Sequence, residues 1–412
     1  MMFLMCALCV CALTVRAQSA DVVQAFEQVA TLIRDNRLAQ AEKELTGILR
    51  VTPNLPLALN LMGSVRAKQG RLVEAETLFL RAVQNDKNYT GARMNLVYLY
   101  LLKRAPDKAI SQLNEVLALE PENADAKVIL GDTYLAKNDL QKAEENYLSA
   151  LDKGLTNAGA LFGLAQISRL KGETREASIY LNRVGTLVAD SKSPEFLYKF
   201  ALEAMRVGMF DAAKSALERS VELQPKEPSY LLALGIAWLR KGDLFEAEKL
   251  FRRLLDLQPT NAQGQLHLGY VLLNQKKYAE ARTWLEKSAR PGAAIPEVFY
   301  YLGLVAQEQN DDAHAILLFE KAVRQLPSYA HARIALGSSY MKLKNYVRAR
   351  QELETAVKLD PNEPTAHYNL ALLYARIKEP ERAREELRII DQLKAKGASN
   401  NGVVVLPPKS NP

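Results

Sequence analysis

Side chains able to do chemistry are scattered through this 412-residue chain rather than gathered. The four histidines, His267, His314, His331 and His367, fall at four different places along the chain's repeating pattern, so no helix face presents them together as a metal site. Glu144-Glu145 and Asp311-Asp312 are sequence neighbours. Adjacent positions lie on different helix faces or in a turn, so neither pair makes an opposed acid and base. Gly337-Ser338-Ser339 has the look of a nucleophile, but Gly-x-Ser-x-Gly is absent, as are His-Glu-x-x-His and a Gly-rich loop ending in Lys-Ser or Lys-Thr. Three catalytic classes lose their support, and the chain reads as non-enzymatic, with no catalytic residue, no metal and no cofactor.

Cys6, Cys9 and Cys11 lie in an uncharged, apolar run from Met1 to Val15 that ends at Arg16. There a thiol behaves as a small hydrophobe. Val15-Arg16-Ala17 offers small residues where a signal peptidase reads, so residues 1–17 are expected to be a cleaved signal peptide and the chain to be exported, periplasmic or extracellular. Fifteen apolar residues fall short of the ~20 that cross a bilayer, although retention at the membrane by an uncleaved N-terminus stays open. After cleavage no cysteine remains and no stable membrane span is expected.

The composition, 48% hydrophobic and 25% charged, is that of a folded protein with enough apolar material for a continuous core. The net charge of +7 comes from basic and acidic residues interleaved along the chain, as in Lys142-Ala143-Glu144-Glu145, which argues for a solvated mixed-charge face and against nucleic acid as partner.

What organises the chain is a repeat. Alanine recurs at 41, 75, 109, 143, 177, 213, 247, 281, 315, 349 and 383, each step being 34 residues except one of 36. Four residues later stands a large apolar side chain, from Leu45 and Phe79 to Leu353 and Leu387. Twelve residues before the alanine comes a small residue in nine of the units, and twelve after it a proline in six. Proline stops a helix, so each unit reads as helix A, a tight turn, helix B and a closing loop. In helix A, Leu231, Leu234 and Trp238 recur at three and four residues, the spacing of an apolar face. Gly235 and Ala247 remove bulk where helix A meets helix B, while Leu234 and Phe251 fill the space around them.

With its small, alanine, large and proline positions, seen in Gly235, Ala247, Phe251 and Pro259, the sequence resembles the tetratricopeptide repeat family over residues 22–397. The repeats are read as 22–55, 56–89, 90–123, 124–157, 158–193, 194–227, 228–261, 262–295, 296–329, 330–363 and 364–397, followed by a flexible or extended tail, 398–412. The resemblance implies an all-α fold, an α-solenoid coiled as a right-handed superhelix of about eleven helix-turn-helix hairpins. The two extra residues fall between Gly185 and Pro194, where the halves before and after are expected to bend.

In that family, partners bind a concave wall made by the second, fifth, sixth, ninth, twelfth and thirteenth places of helix A. Carried onto this chain, those places give the expected peptide-binding residues Phe26, Asn60, Met94, Asn95, Tyr98, Phe162, Tyr198, Lys199, Arg240, His267, Tyr270, Tyr300, Tyr301, Tyr368 and Asn369. Asn60, Asn95 and Asn369 could each be one member of the carboxylate clamp of one subgroup, but Ile129 stands where its arginine belongs. An apolar wall with a few amides suits an extended or helical peptide. The bland alternative is that the aromatic fifth place packs against the next repeat. The resemblance implies a scaffold for a protein or peptide within a larger envelope assembly. A substrate-recruiting subunit of a separate enzyme, or a chaperone-like holder of exported clients, stands beside it.

Overall fold

The computed structural model describes residues 20–151, 156–189, 191–289 and 295–395. The expected signal peptide and the tail from 398 lie outside them. Among the described residues every regular element is an α-helix, and the chain is an all-α solenoid. It divides into two compact units, residues 1–188 and 189–412. The division falls in the segment where the 34-residue step lengthens.

In the first unit the hairpins are α1 (Ala20–Arg34) with α2 (Leu38–Val51), α3 (Pro56–Lys68) with α4 (Leu72–Asn85), α5 (Thr90–Leu102) with α6 (Pro106–Leu119), α7 (Ala124–Ala136) with α8 (Leu140–Ala150), and α9 (Ala158–Leu170) with α10 (Thr174–Val188). In the second they are α11 (Pro194–Arg206) with α12 (Phe210–Leu223), α13 (Pro228–Arg240) with α14 (Leu244–Leu257), α15 (Ala262–Asn274) with α16 (Tyr278–Ser288), α17 (Pro296–Glu308) with α18 (Asp312–Gln325), α19 (Ala330–Lys342) with α20 (Tyr346–Leu359), and α21 (Pro364–Arg376) with α22 (Pro380–Ala395).

Local chemistry sets the boundaries. Prolines 56, 106, 194, 228, 296 and 364 open helices at the first position, where a missing N–H costs nothing. Asp243 caps α14 by accepting from the backbone N–H groups of Phe245 and Glu246 at 3.1 and 3.0 Å. Five residues before each ladder alanine the backbone turns left-handed, at Gly70, Gly172, Gly208 and Gly242, at Asn36, Asn138 and Asn310, and at Arg104, Lys276, Lys344 and Lys378. Glycine and asparagine tolerate this conformation, and the four long cations carry strain there.

The ladder explains itself in the packing. Ala247 and Phe251 are fully buried, and a Cβ placed on Gly235 would lie 2.5 Å from the Phe251 ring. The large side chain of helix B thus occupies the volume that a side chain on helix A would need. Gly63 with Phe79 and Gly269 with Leu285 repeat the arrangement. Many of the interleaved charges pair between hairpins, Lys103 with Glu76, Lys171 with Glu144, Lys241 with Asp211 and Lys342 with Asp312 at 2.5–3.1 Å.

Within each unit successive odd-numbered helices pack on one another, α1 on α3, α3 on α5 and α7 on α9, then α11 on α13 and so on to α19 on α21. Even-numbered helices pack chiefly on odd ones. The odd helices therefore form one layer and the even helices another.

Candidate binding surface

The histidines are held separately. His267 is buried with its ring stacked on Phe251 at 5.3 Å, its Nδ1 has no hydrogen-bond partner, and burial lowers its pKa to about 4. His367 places Nδ1 2.6 Å from Glu386 and Nε2 3.0 Å from the Pro361 carbonyl. His331 faces Glu363 at 3.7 Å, and His314 is exposed. Each imidazole has its own surroundings, and no two of them converge.

In the first unit the residues expected to line a groove are largely occupied with one another. Asn60 is buried, its Nδ2 donates to the Tyr89 hydroxyl at 3.1 Å, and its Oδ1 accepts from Asn95 Nδ2 at 2.8 Å. Phe26 and Met94 are buried in the core, whereas Asn95, Tyr98 and Phe162 are partly open. The accessible ninth places of α3, α5, α7 and α9, Ser64, Tyr98, Asp132 and Gln166, are polar or amphipathic.

In the second unit several fifth- and sixth-place residues pack between repeats. Tyr300 lies 5.3 Å from Tyr301, 6.0 Å from Phe319 on α18 and 5.2 Å from Tyr329, which precedes α19, while Tyr301 contacts Tyr270 at 5.0 Å. Tyr301 is 1% exposed, and burial pushes the Tyr300 hydroxyl up to about 12. Tyr198 on α11 likewise meets Tyr230 on α13 at 5.0 Å, yet remains partly open. The structure thus places His267, Tyr270, Tyr300 and Tyr301 inside the stack, Lys199, Arg240 and Tyr368 on its surface, and Asn369 half-buried with Nδ2 on the Thr365 carbonyl at 2.8 Å.

What stays open on the odd helices of this unit is a strip one step further along. Leu202 on α11, Leu232 and Ile236 on α13, Leu273 on α15 and Leu304 on α17 are partly exposed, and the last four rest on the buried cluster. Lys199 and Arg240 stand beside the strip, exposed and without an ion pair among the described residues. The Arg240 guanidinium lies over the Phe210 ring at 5.7 Å, and enough chain surrounds it that desolvation lowers its pKa from the usual value. Sequence reasoning missed Leu202, Ile236 and Leu304. The ninth-place pattern held the signal, but nothing in it said that the fifth place would be consumed by packing.

The tetratricopeptide repeat profile matches residues 26–90, 94–158, 130–184, 198–262 and 246–296, and a second repeat profile matches 337–378. These matches cover more than half of the chain. It belongs to the tetratricopeptide repeat family. Cellulose synthase operon protein C of Xanthomonas axonopodis pv. citri (strain 306) is 29% identical over 197 residues, 46% of this chain and 13% of that protein. Protein O-mannosyl-transferase TMTC3 of Homo sapiens is 23% identical over 180 residues, 42% of this chain and 19% of that one. The chain thus spans less than a fifth of the length of either relative. Among solved structures, the APC/C hetero-tetramer Cut9-Hcn1 is similar with a TM-score of 0.48 and 14% identity, over 92% of this chain and 96% of that one. No described helix is long and apolar enough to cross a membrane.

Proposed function

We propose that this repeat protein is a non-catalytic scaffold that holds a protein segment on the odd-helix face of its second unit. The occupant presents apolar side chains to Leu202, Leu232 and Ile236 and carboxylates to Lys199 and Arg240. The observation that carries the reading is the pair of unpaired cations beside an open apolar strip on two helices that pack together, α11 and α13. Lys342, which holds the thirteenth place of α19 as Arg240 does of α13, is by contrast paired with Asp312 of the neighbouring hairpin. From the sixth place to the thirteenth a helix rises roughly 10 Å. Together with the step between helices, that span fits a few residues of an extended chain or two turns of a helix.

A second reading makes the scaffold an accessory of a separate enzyme in the cell envelope. The Xanthomonas relative, named for a cellulose synthase operon, supports it, as does the apolar run expected to export the chain. Crosslinking in the native compartment followed by mass spectrometry tests both. One stoichiometric partner carrying an acidic-apolar segment is the expected result, and many unrelated clients would replace the scaffold with a holder of exported chains. Intact-mass measurement of the exported protein checks the expected cleavage near Ala17.

A further inference from the structure

At the ladder place four residues after the repeat alanine, ten of the eleven large side chains are 0 or 1% exposed, and Leu387 is 46% exposed. On the partnering helix Tyr368 is 52% exposed, against 8% for Tyr300 and 7% for Ile334 at the same place. Leu372 adds 36%. In the preceding repeats of this unit the ladder place is covered, Leu353 being fully buried, and Tyr329 of the following hairpin packs over Tyr300. No described hairpin follows α22, so an apolar face of α21 and α22 is left open.

We propose that Val403-Val404-Val405-Leu406 folds back onto this face and closes the end of the stack. The four residues are the only apolar run in the seventeen that follow Ala395, bounded by Asn401-Gly402 and Pro407-Pro408. The chain leaves α22 at the end of the hairpin where α21 begins. Val403 lies eight steps beyond Ala395, a reach of up to about 26 Å when extended, whereas Leu387 lies only about 12 Å back along the helix. Charge agrees as well. Asp391, one turn beyond Leu387 on the same stripe, is exposed and without an ion pair among the described residues, and Lys409 follows the apolar run. A second copy stacked head to tail fits the face poorly, because α1 exposes Gln24, Glu27, Gln28 and Thr31.

Hydrogen exchange read by mass spectrometry on the full chain tests this. Val404→Asp with Leu406→Asp is expected to speed exchange in α21 and α22 at least tenfold while leaving α13 to α16 unchanged. Leu387→Asp should do the same, and the two together no more than either alone. Unchanged exchange in the tail variant overturns the proposal. So does a concentration-dependent dimer, seen by light scattering, that Leu387→Asp dissociates and the tail variant does not.

Discussion

The ring of Tyr147 on α8 fills the space that a side chain at Gly163 on α9 would take, where a Cβ would lie 2.2 Å away, and it also sits close over Gly131 on α7, where a Cβ would lie 2.6 Å away. One aromatic side chain thereby locks its own hairpin and joins it to the next. Its hydroxyl, 2.7 Å from Asp132, keeps the polar end satisfied while the ring stays buried. Gly163→Ala should cost about 1–3 kcal/mol, because the ring has to leave its place or the helices have to part. Urea unfolding checks it, and a midpoint equal to that of the wild type would disprove the close contact.

The turn positions make an opposite prediction. Lys344 sits at φ +59°, where Gly242 of an earlier hairpin sits at +81°. Lys344→Gly should stabilise by about 1 kcal/mol, the strain of a left-handed side chain less the entropy that glycine loses on folding. Gly242→Lys should destabilise by a similar amount. A calorimetric scan of both variants reads the two signs, which must differ.

The alternation of helix and turn and the close approach at Gly235 were both legible in the sequence, because a 34-residue period repeats the same steric demand at every step. What was not legible was the division of labour within helix A. Tyr300 and Leu202 occupy neighbouring places of the wall pattern, and both are bulky and apolar. Only the packing of Tyr329 over Tyr300 decides that one is core and the other open. Likewise Asn60 and Asn95 read as ligand hydrogen-bonding groups, but a contact thirty-five residues apart joins them to each other.

Burial of His267 gives the fold a pH dependence. Its folded pKa of about 4 lies below the ordinary imidazole value of 6.5, so the unfolded chain binds more protons between those values. The stabilisation is fully present above about pH 6.5 and is lost as pH falls toward 4. Between pH 7 and pH 5 this one group should remove about 2 kcal/mol. His267→Phe keeps a ring against Phe251 and should lose less stability over that interval than the wild type does. Parallel loss in both chains, measured by urea midpoints at the two pH values, would assign the acid sensitivity to other groups.

Reversing the two free cations separates binding from folding. Lys199 and Arg240 are exposed, so Lys199→Glu with Arg240→Glu should change stability within about 0.5 kcal/mol per site. Capture of the native partner should nevertheless weaken at least tenfold, because carboxylates would then face carboxylates. Tyr301→Ala is the contrasting change. At 1% exposure its ring is core, and its removal should cost about 3–5 kcal/mol of local stability whatever it does to the ligand. Affinity measured beside thermal unfolding distinguishes the two. A charge-reversed chain that keeps full affinity would move the binding surface off α11 and α13, and a Tyr301→Ala chain that melts like the wild type would restore the aromatic ladder as the candidate wall.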